Sequence, residues 1–284
     1  MEVKWFIDNY EPDETLFPLI YEIKKQGMDC FVLEYHPFRM DGYHPVETSV
    51  YDKYNDDMCV VFYGRLNIGR DIQSKKGWVP GVYCDFNNLC CLTYFSHWSK
   101  YLLNEDYIML PILEILRQRD YVFDKFGINN EIFIRPNSGS KTFTGYVVSK
   151  DKLDKEFEIL STHTAKEMDR ILCIISSPKK IDTEWRYVVV DEKVVACSQY
   201  VKDGEINIKE GGDHEAEELA NKIAKEEWQP DKAYTLDICK SNGQYHLLEA
   251  NSFSCSSLYA CDVVPIVENV SRIALKEWDE YNNV

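Results

Sequence analysis

The chain contains no C-x-x-C spacing, although it has 10 cysteines among its 284 residues. Zinc sites and redox motifs commonly place two cysteines at that spacing, so its absence argues against both kinds of site. A free thiol inside an apolar, strand-like run behaves as a small core side chain. Half of the cysteines lie in such runs, and we expect reduced, structural thiols; these are Cys30, Cys59, Cys173, Cys197 and Cys239.

Basic residues are also scarce, with 32 Lys and Arg against 48 Asp and Glu and a formal net charge of −16. This balance argues against nucleic acid bound by a broad electrostatic surface. No apolar run approaches the roughly 20 residues that a membrane-spanning helix needs. The first residues, Met1-Glu-Val-Lys-Trp, lack the organisation of a signal peptide. We therefore expect a soluble, cytoplasmic protein with no membrane partner.

The apolar and polar residues divide the chain into two regions. The first 95 residues alternate strand-like and helical patterns, which is typical of a small βαβ-type lobe. Two helical stretches at about 86–103 and 110–126 then lead into strands joined by longer loops. We predict an α+β protein with an α/β lobe at 1–95 and a second domain at 96–284. The later strands are predicted at 131–136, 146–148, 171–175, 184–190 and 193–200, with helices at 214–228 and 263–281.

A carboxylate-bearing hairpin is predicted near the end of the chain. Asn242-Gly243 favours a tight turn between two apolar strands. Because side chains alternate along a strand, Glu249 and Asn251 share a face, and pairing around the turn brings Asp237 to the same neighbourhood. Two carboxylates and an amide oxygen are hard ligands suited to Mg²⁺. The alternative is a hairpin with ordinary polar residues on its solvated face.

A polar loop of small residues, 137–145, follows the predicted strand that carries Arg135. The loop contains Lys141, but it lacks the glycine that a P-loop has directly before its lysine, and no helix follows it. Such a loop can still fold over phosphate through backbone N–H groups and a lysine.

Two further pairs of charged residues are candidates for ligand binding. Glu184 and Arg186 are two residues apart on a predicted strand, where they form either a structural ion pair or an arginine fork aimed at a phosphoryl group. Arg65 and Arg70 follow the end of a strand in the first lobe. Loops at that place often line ligand crevices, so both are candidate anchors for a substrate carboxylate, or exposed arginines of a surface turn.

Taken in order, these segments resemble the ATP-grasp superfamily over about residues 100–280. The resemblance rests on Arg135 with its loop, Glu184-x-Arg186, the strand ending at Tyr200, Asp237 and Glu249-x-Asn251. Arg135 stands where most members have a lysine, which is similar to a divergent clade of phage and bacterial proteins related to a eukaryotic assembly protein for a translation initiation factor. The implied fold has two α+β lobes that grip ATP, preceded by a smaller lobe.

The resemblance also implies roles for individual residues. Arg135 and Lys141 would contact the phosphates of ATP, and Arg186, with Glu184 on the same strand face, would lie at the γ-phosphate. Asp237, Glu249 and Asn251 would hold Mg²⁺. The segment that contains Ser176 and Ser177 falls where the family contacts adenine, largely through backbone groups.

The activity implied is ligation of a carboxylate to an amine, with ATP and Mg²⁺ and through an acyl phosphate. Substrates would be small molecules, peptides or proteins. The two alternatives are an ATP-binding assembly factor that clamps a partner protein and a kinase that uses the same site.

Overall fold

The computed structural model describes residues 2–9, 16–34, 57–140, 142–164 and 168–283 of the chain. These residues form three β-sheets with helices packed against them, which confirms the α+β class predicted from the sequence. The ten cysteines are free thiols, as predicted. Within the described ranges, no helix is both long and apolar enough to cross a membrane.

The first sheet consists of parallel strands from the N-terminal part of the chain. All five residues of its third strand are buried, as is usual for a parallel strand covered on both faces. The strands are β1 (Lys4–Asn9), β2 (Asp29–Glu34), β3 (Cys59–Tyr63) and β4 (Val79–Gly81), in the order β2-β1-β3-β4; the accompanying helices are α1 (Phe17–Lys25) and α2 (Leu66–Lys75).

Helix α3 (Cys91–Trp98) and a 3₁₀ turn (Ser99–Tyr101) connect this lobe to the rest of the chain. Trp98 is fully buried in a core that also contains residues of the first and third sheets. The predicted boundary at residues 95 and 96 therefore falls inside a helix, and the division into two domains stays a prediction.

The second sheet is antiparallel and has its own apolar core, formed with three helices. Its elements are β5 (Tyr107–Pro111), α4 (Ile112–Arg117), α5 (Arg119–Phe126), β6 (Glu131–Pro136), β7 (Tyr146–Ser149), α6 (Leu153–Thr164), a 3₁₀ turn (Met168–Arg170) and β8 (Leu172–Ser176), with strand order β5-β8-β6-β7.

The sequence predicts one helix over 110–126, and this prediction is wrong at its start. Residues 107–111 form strand β5 because they pair with β8, more than 60 residues away along the chain. The helical part is divided at Gln118, which lies outside the usual helical conformation with ψ +24°. Long-range pairing has overridden the local pattern.

The third sheet has five antiparallel strands with β9 at its centre. Val188 and Val190 of that strand pack in a core with α8, whereas Tyr187 and Val189 pack on the opposite face in a core with α7. The elements are β9 (Thr183–Val190), β10 (Lys193–Lys202), β11 (Glu205–Glu210), α7 (His214–Ala224), β12 (Ala233–Ser241), β13 (Gln244–Ser252) and α8 (Val263–Asn282), and the strand order is β11-β10-β9-β12-β13.

Candidate active site

The register of three adjacent strands brings the charged residues of the third sheet together. Asp237 on β12 lies opposite Arg186 on β9 and opposite Glu249 on β13. Thr235 pairs with Asn251 on the same strands, one step of the alternation away. The β12–β13 pairing shifts by one residue between Asp237 and Ile238, so a β-bulge at this point places Glu249 directly across from Asp237.

Arg186 and Asp237 form a buried bidentate ion pair. The Arg186 Nε donates to Asp237 Oδ1 at 2.8 Å, and Nη2 donates to Oδ2 at 2.7 Å. Their side chains are 6% and 2% exposed. Burial alone would lower the Arg186 pKa, but the Asp237 charge and hydrogen bonds outweigh it and raise the pKa above its ordinary value. The third guanidinium nitrogen, Nη1, donates to the Ser257 carbonyl at 2.9 Å.

Glu249 connects this ion pair to Arg135 of the second sheet. Arg135 Nη2 donates to Glu249 Oε2 at 2.8 Å. The Asn251 amide donates to Glu249 Oε1 at 2.6 Å and to Asp237 Oδ2 at 3.3 Å. Two arginines and one amide thus hold the two carboxylates close together.

Glu184 adds a third carboxylate on the β9 face that carries Arg186. Its Oε2 accepts a hydrogen bond from the Tyr200 hydroxyl at 2.5 Å. Burial, followed by the negative charges of Asp237 and Glu249, raises the Glu184 pKa, although the Tyr200 hydrogen bond and Arg186 act in the opposite direction. Mutual repulsion among the three carboxylates would favour a cation placed between them.

A cavity of about 420 Å³ opens between the second and third sheets beside these residues. Arg135, Glu184, Tyr200 and Glu249 line its charged end. The apolar part of its wall includes Leu103, Phe133, Phe143, Tyr146, Ile181 and Leu248. A volume in the usual range for ligand pockets, with an apolar part and a few charged groups, suits a molecule such as a nucleotide.

The residues predicted near adenine lie at the edge of this cavity. Ser176 is fully buried, and its hydroxyl donates to Asn104 Oδ1 at 3.1 Å. Asn104, Lys179 and Ile181 line the cavity, whereas Ser176 and the half-buried Ser177 do not. Lys141, predicted to contact phosphate, lies outside the described residues.

Arg65 and Arg70, the predicted carboxylate anchors, do not reach this cluster. Arg65 forms a bidentate ion pair with Asp8, through Nε at 2.7 Å and Nη2 at 2.9 Å. Asp8 is only 1% exposed, so this pair is fixed at the carboxyl end of the first sheet. Arg70 is exposed, and its guanidinium lies 4.9 Å from the centre of the Phe86 ring.

Sequence reasoning assigned no role to two tyrosines beside Arg186. The rings of Tyr200 and Tyr259 are stacked, with centroids 4.8 Å apart and planes within 4°. The Arg186 guanidinium carbon lies 5.7 Å from the Tyr200 centroid and 5.1 Å from that of Tyr259. Tyr200 ends a segment that carries the family resemblance, but no sequence signal singles out Tyr259, which lies in an irregular loop.

The carboxylates and the amide could hold a divalent metal ion only together. No group of three or more His, Cys, Asp or Glu side chains suited to a metal occurs among the residues that the structure describes. The predicted set combines Asp237 and Glu249 with the amide of Asn251, whose nitrogen now faces both carboxylates. Rotation of this amide would present its oxygen to a cation in the same place.

Comparison with protein families identifies one that covers this site. The matching model describes an ATP-grasp domain, the second family of its clade, and it covers residues 117–269, which is more than half of the chain. The matched range includes Arg135, Arg186, Asp237, Glu249 and Asn251. No curated protein matches the chain significantly.

Solved structures similar to this chain share its architecture at low sequence identity. The D-alanine–D-alanine ligase from Bacillus anthracis in complex with ATP has a TM-score of 0.60 at 13% identity, with 99% of each chain covered. D-cycloserine synthetase gives 0.58 at 12% identity, covering 96% of this chain and 100% of that one. The ATP-grasp ligase PsnB with its minimal precursor gives 0.54 at 11% identity, with the same coverage. These likenesses confirm the ATP-grasp fold predicted from the sequence.

Proposed function

The chain belongs to the ATP-grasp superfamily, in the second family of a divergent clade, and from that premise we propose that it is an ATP- and Mg²⁺-dependent ligase joining a carboxylate to an amine. The observation that carries the proposal is the convergence of Arg135, Arg186, Asp237, Glu249 and Asn251 at the charged end of a nucleotide-sized cavity. Fold and family alone would allow other ATP-dependent reactions.

ATP would bind with its base among the apolar residues of the cavity and its phosphates at the charged end. Arg135 lies on β6 with its side chain 15% exposed, so it is restrained before any ligand arrives. A rigid guanidinium fork is well suited to phosphate oxygens. Lys141, for which we keep the predicted role, would add a second cation from the neighbouring loop.

Mg²⁺ would be held by Asp237, Glu249 and Asn251. The donor set fits the ion because it consists of oxygen ligands and supplies few of them, which leaves positions for phosphate oxygens. When bound, the ion neutralises charge on the phosphates and aligns the terminal phosphoryl group. Arg135 and Arg186 already neutralise the two carboxylates, so the cluster is stable before the ion binds.

The reaction would proceed in two steps. A carboxylate oxygen of the substrate attacks the γ-phosphorus and ADP leaves, which gives an acyl phosphate. The amine then attacks the acyl carbon, phosphate leaves, and the amine loses a proton as the amide bond forms. Arg186 would stabilise charge on the transferring phosphoryl group, since a preorganised donor in a water-poor site contributes most where charge develops.

The comparisons support a carboxylate–amine reaction and a peptide or small-molecule substrate. One similar structure is a D-alanine–D-alanine ligase, and another is an ATP-grasp ligase in complex with a minimal precursor. A ligase that acts on a small acid, a peptide or a protein is therefore the function that we propose for this chain.

The products of ATP cleavage test this proposal. With Mg²⁺ and a set of candidate acids and amines, we expect ADP and phosphate, formed in proportion to the ligated product. Hydroxylamine should trap the intermediate as a hydroxamate once a suitable acid is present. Formation of AMP would contradict γ-phosphoryl transfer. A stable phosphorylated product insensitive to hydroxylamine would indicate a kinase, and tight ATP binding without turnover would indicate an assembly factor.

A further inference from the structure

Arg186 is restrained from several sides, and only one of those restraints involves the carboxylate expected to bind metal. Asp237 accepts two of its hydrogen bonds, and the Ser257 carbonyl accepts a third. The stacked pair Tyr200 and Tyr259, which we call the tyrosine pair, lies along another side. Because both ring centroids are at similar distances from the guanidinium carbon, the guanidinium lies beside the stack, not above a single ring.

Metal binding would weaken the strongest of these restraints. Both Asp237 oxygens now accept hydrogen bonds from Arg186. An oxygen that coordinates Mg²⁺ gives part of its electron density to the ion, so it attracts the guanidinium less strongly. Arg186 would then need a support independent of Asp237 at the moment when the γ-phosphate is also present.

The tyrosine pair is itself held in place. The Tyr200 hydroxyl donates to Glu184, which lies two residues before Arg186 on β9. The loop that carries Tyr259 is fixed to the first lobe, since the Gly64 N–H donates to the Ser254 carbonyl at 2.8 Å. The same loop is fixed to β10, because the Ala260 N–H donates to Ser198 Oγ at 3.2 Å.

The backbone of Tyr259 is the second, independent indication of a role. Its φ is +51°, in the left-handed region where a side chain with a β-carbon is strained and glycine is favoured. Tyr259 is also 38% exposed, so burial in a core does not account for the strain. Such strain persists mainly where the position of the side chain is used.

We infer that Tyr259 is a positioning residue that, with Tyr200 and the Ser257 carbonyl, holds Arg186 toward the γ-phosphate when Mg²⁺ engages Asp237. The inference rests on the proposed function, in which Arg186 faces the γ-phosphate. It assigns the role to the ring of Tyr259 and not to its hydroxyl.

The test compares the affinities for ADP and for a non-hydrolysable ATP analogue, by calorimetry with Mg²⁺ and with a chelator. Their ratio, the γ-phosphate preference, reports on Arg186 and needs no substrate. Tyr259→Gly removes the ring and relieves the backbone. We expect it to reduce the preference about tenfold in Mg²⁺, and by less than about twofold in chelator, where Asp237 still holds Arg186. Affinity for ADP should not change.

Three further variants interpret the result. Tyr259→Phe keeps the ring and should retain the preference, and Tyr259→Asn, which also tolerates a left-handed backbone, should behave like Tyr259→Gly. Asp203→Gly relieves a second left-handed residue, with φ +53°, in the β10–β11 turn, and serves as the control for the backbone change. The wild-type preference in Tyr259→Gly, or an equal loss with and without Mg²⁺, would overturn the inference.

Arg186→Lys separates this inference from the proposed function. If Arg186→Lys abolishes the γ-phosphate preference and Tyr259→Gly does not, the positioning role fails and the proposed function stands. If the wild type shows no preference, or if Arg186→Lys leaves it unchanged, the role of Arg186 in the proposed function fails, and the inference fails with it.

Discussion

Breaking the Arg186–Asp237 ion pair from one side should destabilise the protein strongly. Arg186→Met replaces the guanidinium by an apolar side chain of similar length and leaves Asp237, 2% exposed, without its bidentate partner. Removing one partner of a buried pair costs about 3–5 kcal/mol, because the remaining charge is buried without compensation. We expect a loss of that size in the free energy of unfolding, measured by urea titration of the fluorescence of the 6 tryptophans.

The double variant Arg186→Met/Asp237→Leu shows whether the uncompensated charge causes the loss. Replacement of a whole buried pair by apolar residues of similar volume is often neutral or stabilising. The double variant should therefore recover most of the stability lost by Arg186→Met, to within about 1 kcal/mol of the wild type. Both variants should lack phosphoryl transfer, which separates the stability of the pair from its proposed role.

A surface pair provides the matched control. Arg272 and Asp191 approach to 3.3 Å, but their side chains are 47% and 27% exposed. Arg272→Met should cost less than about 1 kcal/mol, since water screens an exposed ion pair. The reasoning would be refuted by a loss below about 1 kcal/mol in Arg186→Met, or by a double variant no more stable than that single one.

Three other predictions follow from the site and its surroundings. Glu249→Gln should keep the fold but lose Mg²⁺-dependent release of ADP, because it removes one of two metal-binding charges; wild-type turnover and Mg²⁺ dependence would contradict the metal site. Arg135→Ala should weaken ADP binding, measured by calorimetry, more than Lys141→Ala, since a strand-borne arginine is preorganised; unchanged ADP affinity in Arg135→Ala would exclude its role. Burial raises the pKa of Asp231 from 3.8 to about 7, so the native state holds a proton that the unfolded chain releases, and stability should fall as pH rises between these values. Asp231→Asn should flatten that fall when Tm is measured from pH 5 to pH 8, and an unchanged slope would show that Asp231 is not responsible.

The ATP-grasp family could be predicted from the order of weak signals along the sequence. Arg135, Arg186, Asp237 and the Glu249-x-Asn251 pair are each unspecific, but their order and spacing together resembled one superfamily, and the family match confirms it. Alternation along β9 also placed Arg186 on the face that Val188 and Val190 bury against α8. These are local properties of strands, which is why they can be read from the sequence.

Contacts between distant segments were not predictable in the same way. Strand β5 was mistaken for the start of a helix because its partner β8 lies more than 60 residues away. Tyr259 gave no signal, because its position beside Arg186 depends on a loop fixed to the first lobe and to β10. The pairing of Arg65 with Asp8 likewise joins the ends of two strands that are neighbours only in the folded sheet.

The carboxylate hairpin shows where the sequence stops and the tertiary structure decides. Asn242-Gly243 determined the turn, and both residues adopt the positive φ that such a turn needs. A regular register around this turn would place Leu248 opposite Asp237. The structure instead has a β-bulge there, which moves Glu249 opposite Asp237. The third sheet then pairs Asp237 with Arg186 on the other side. Turn conformation is a property of two adjacent residues, whereas the bulge and the ion pair depend on how the strands pack against the rest of the protein.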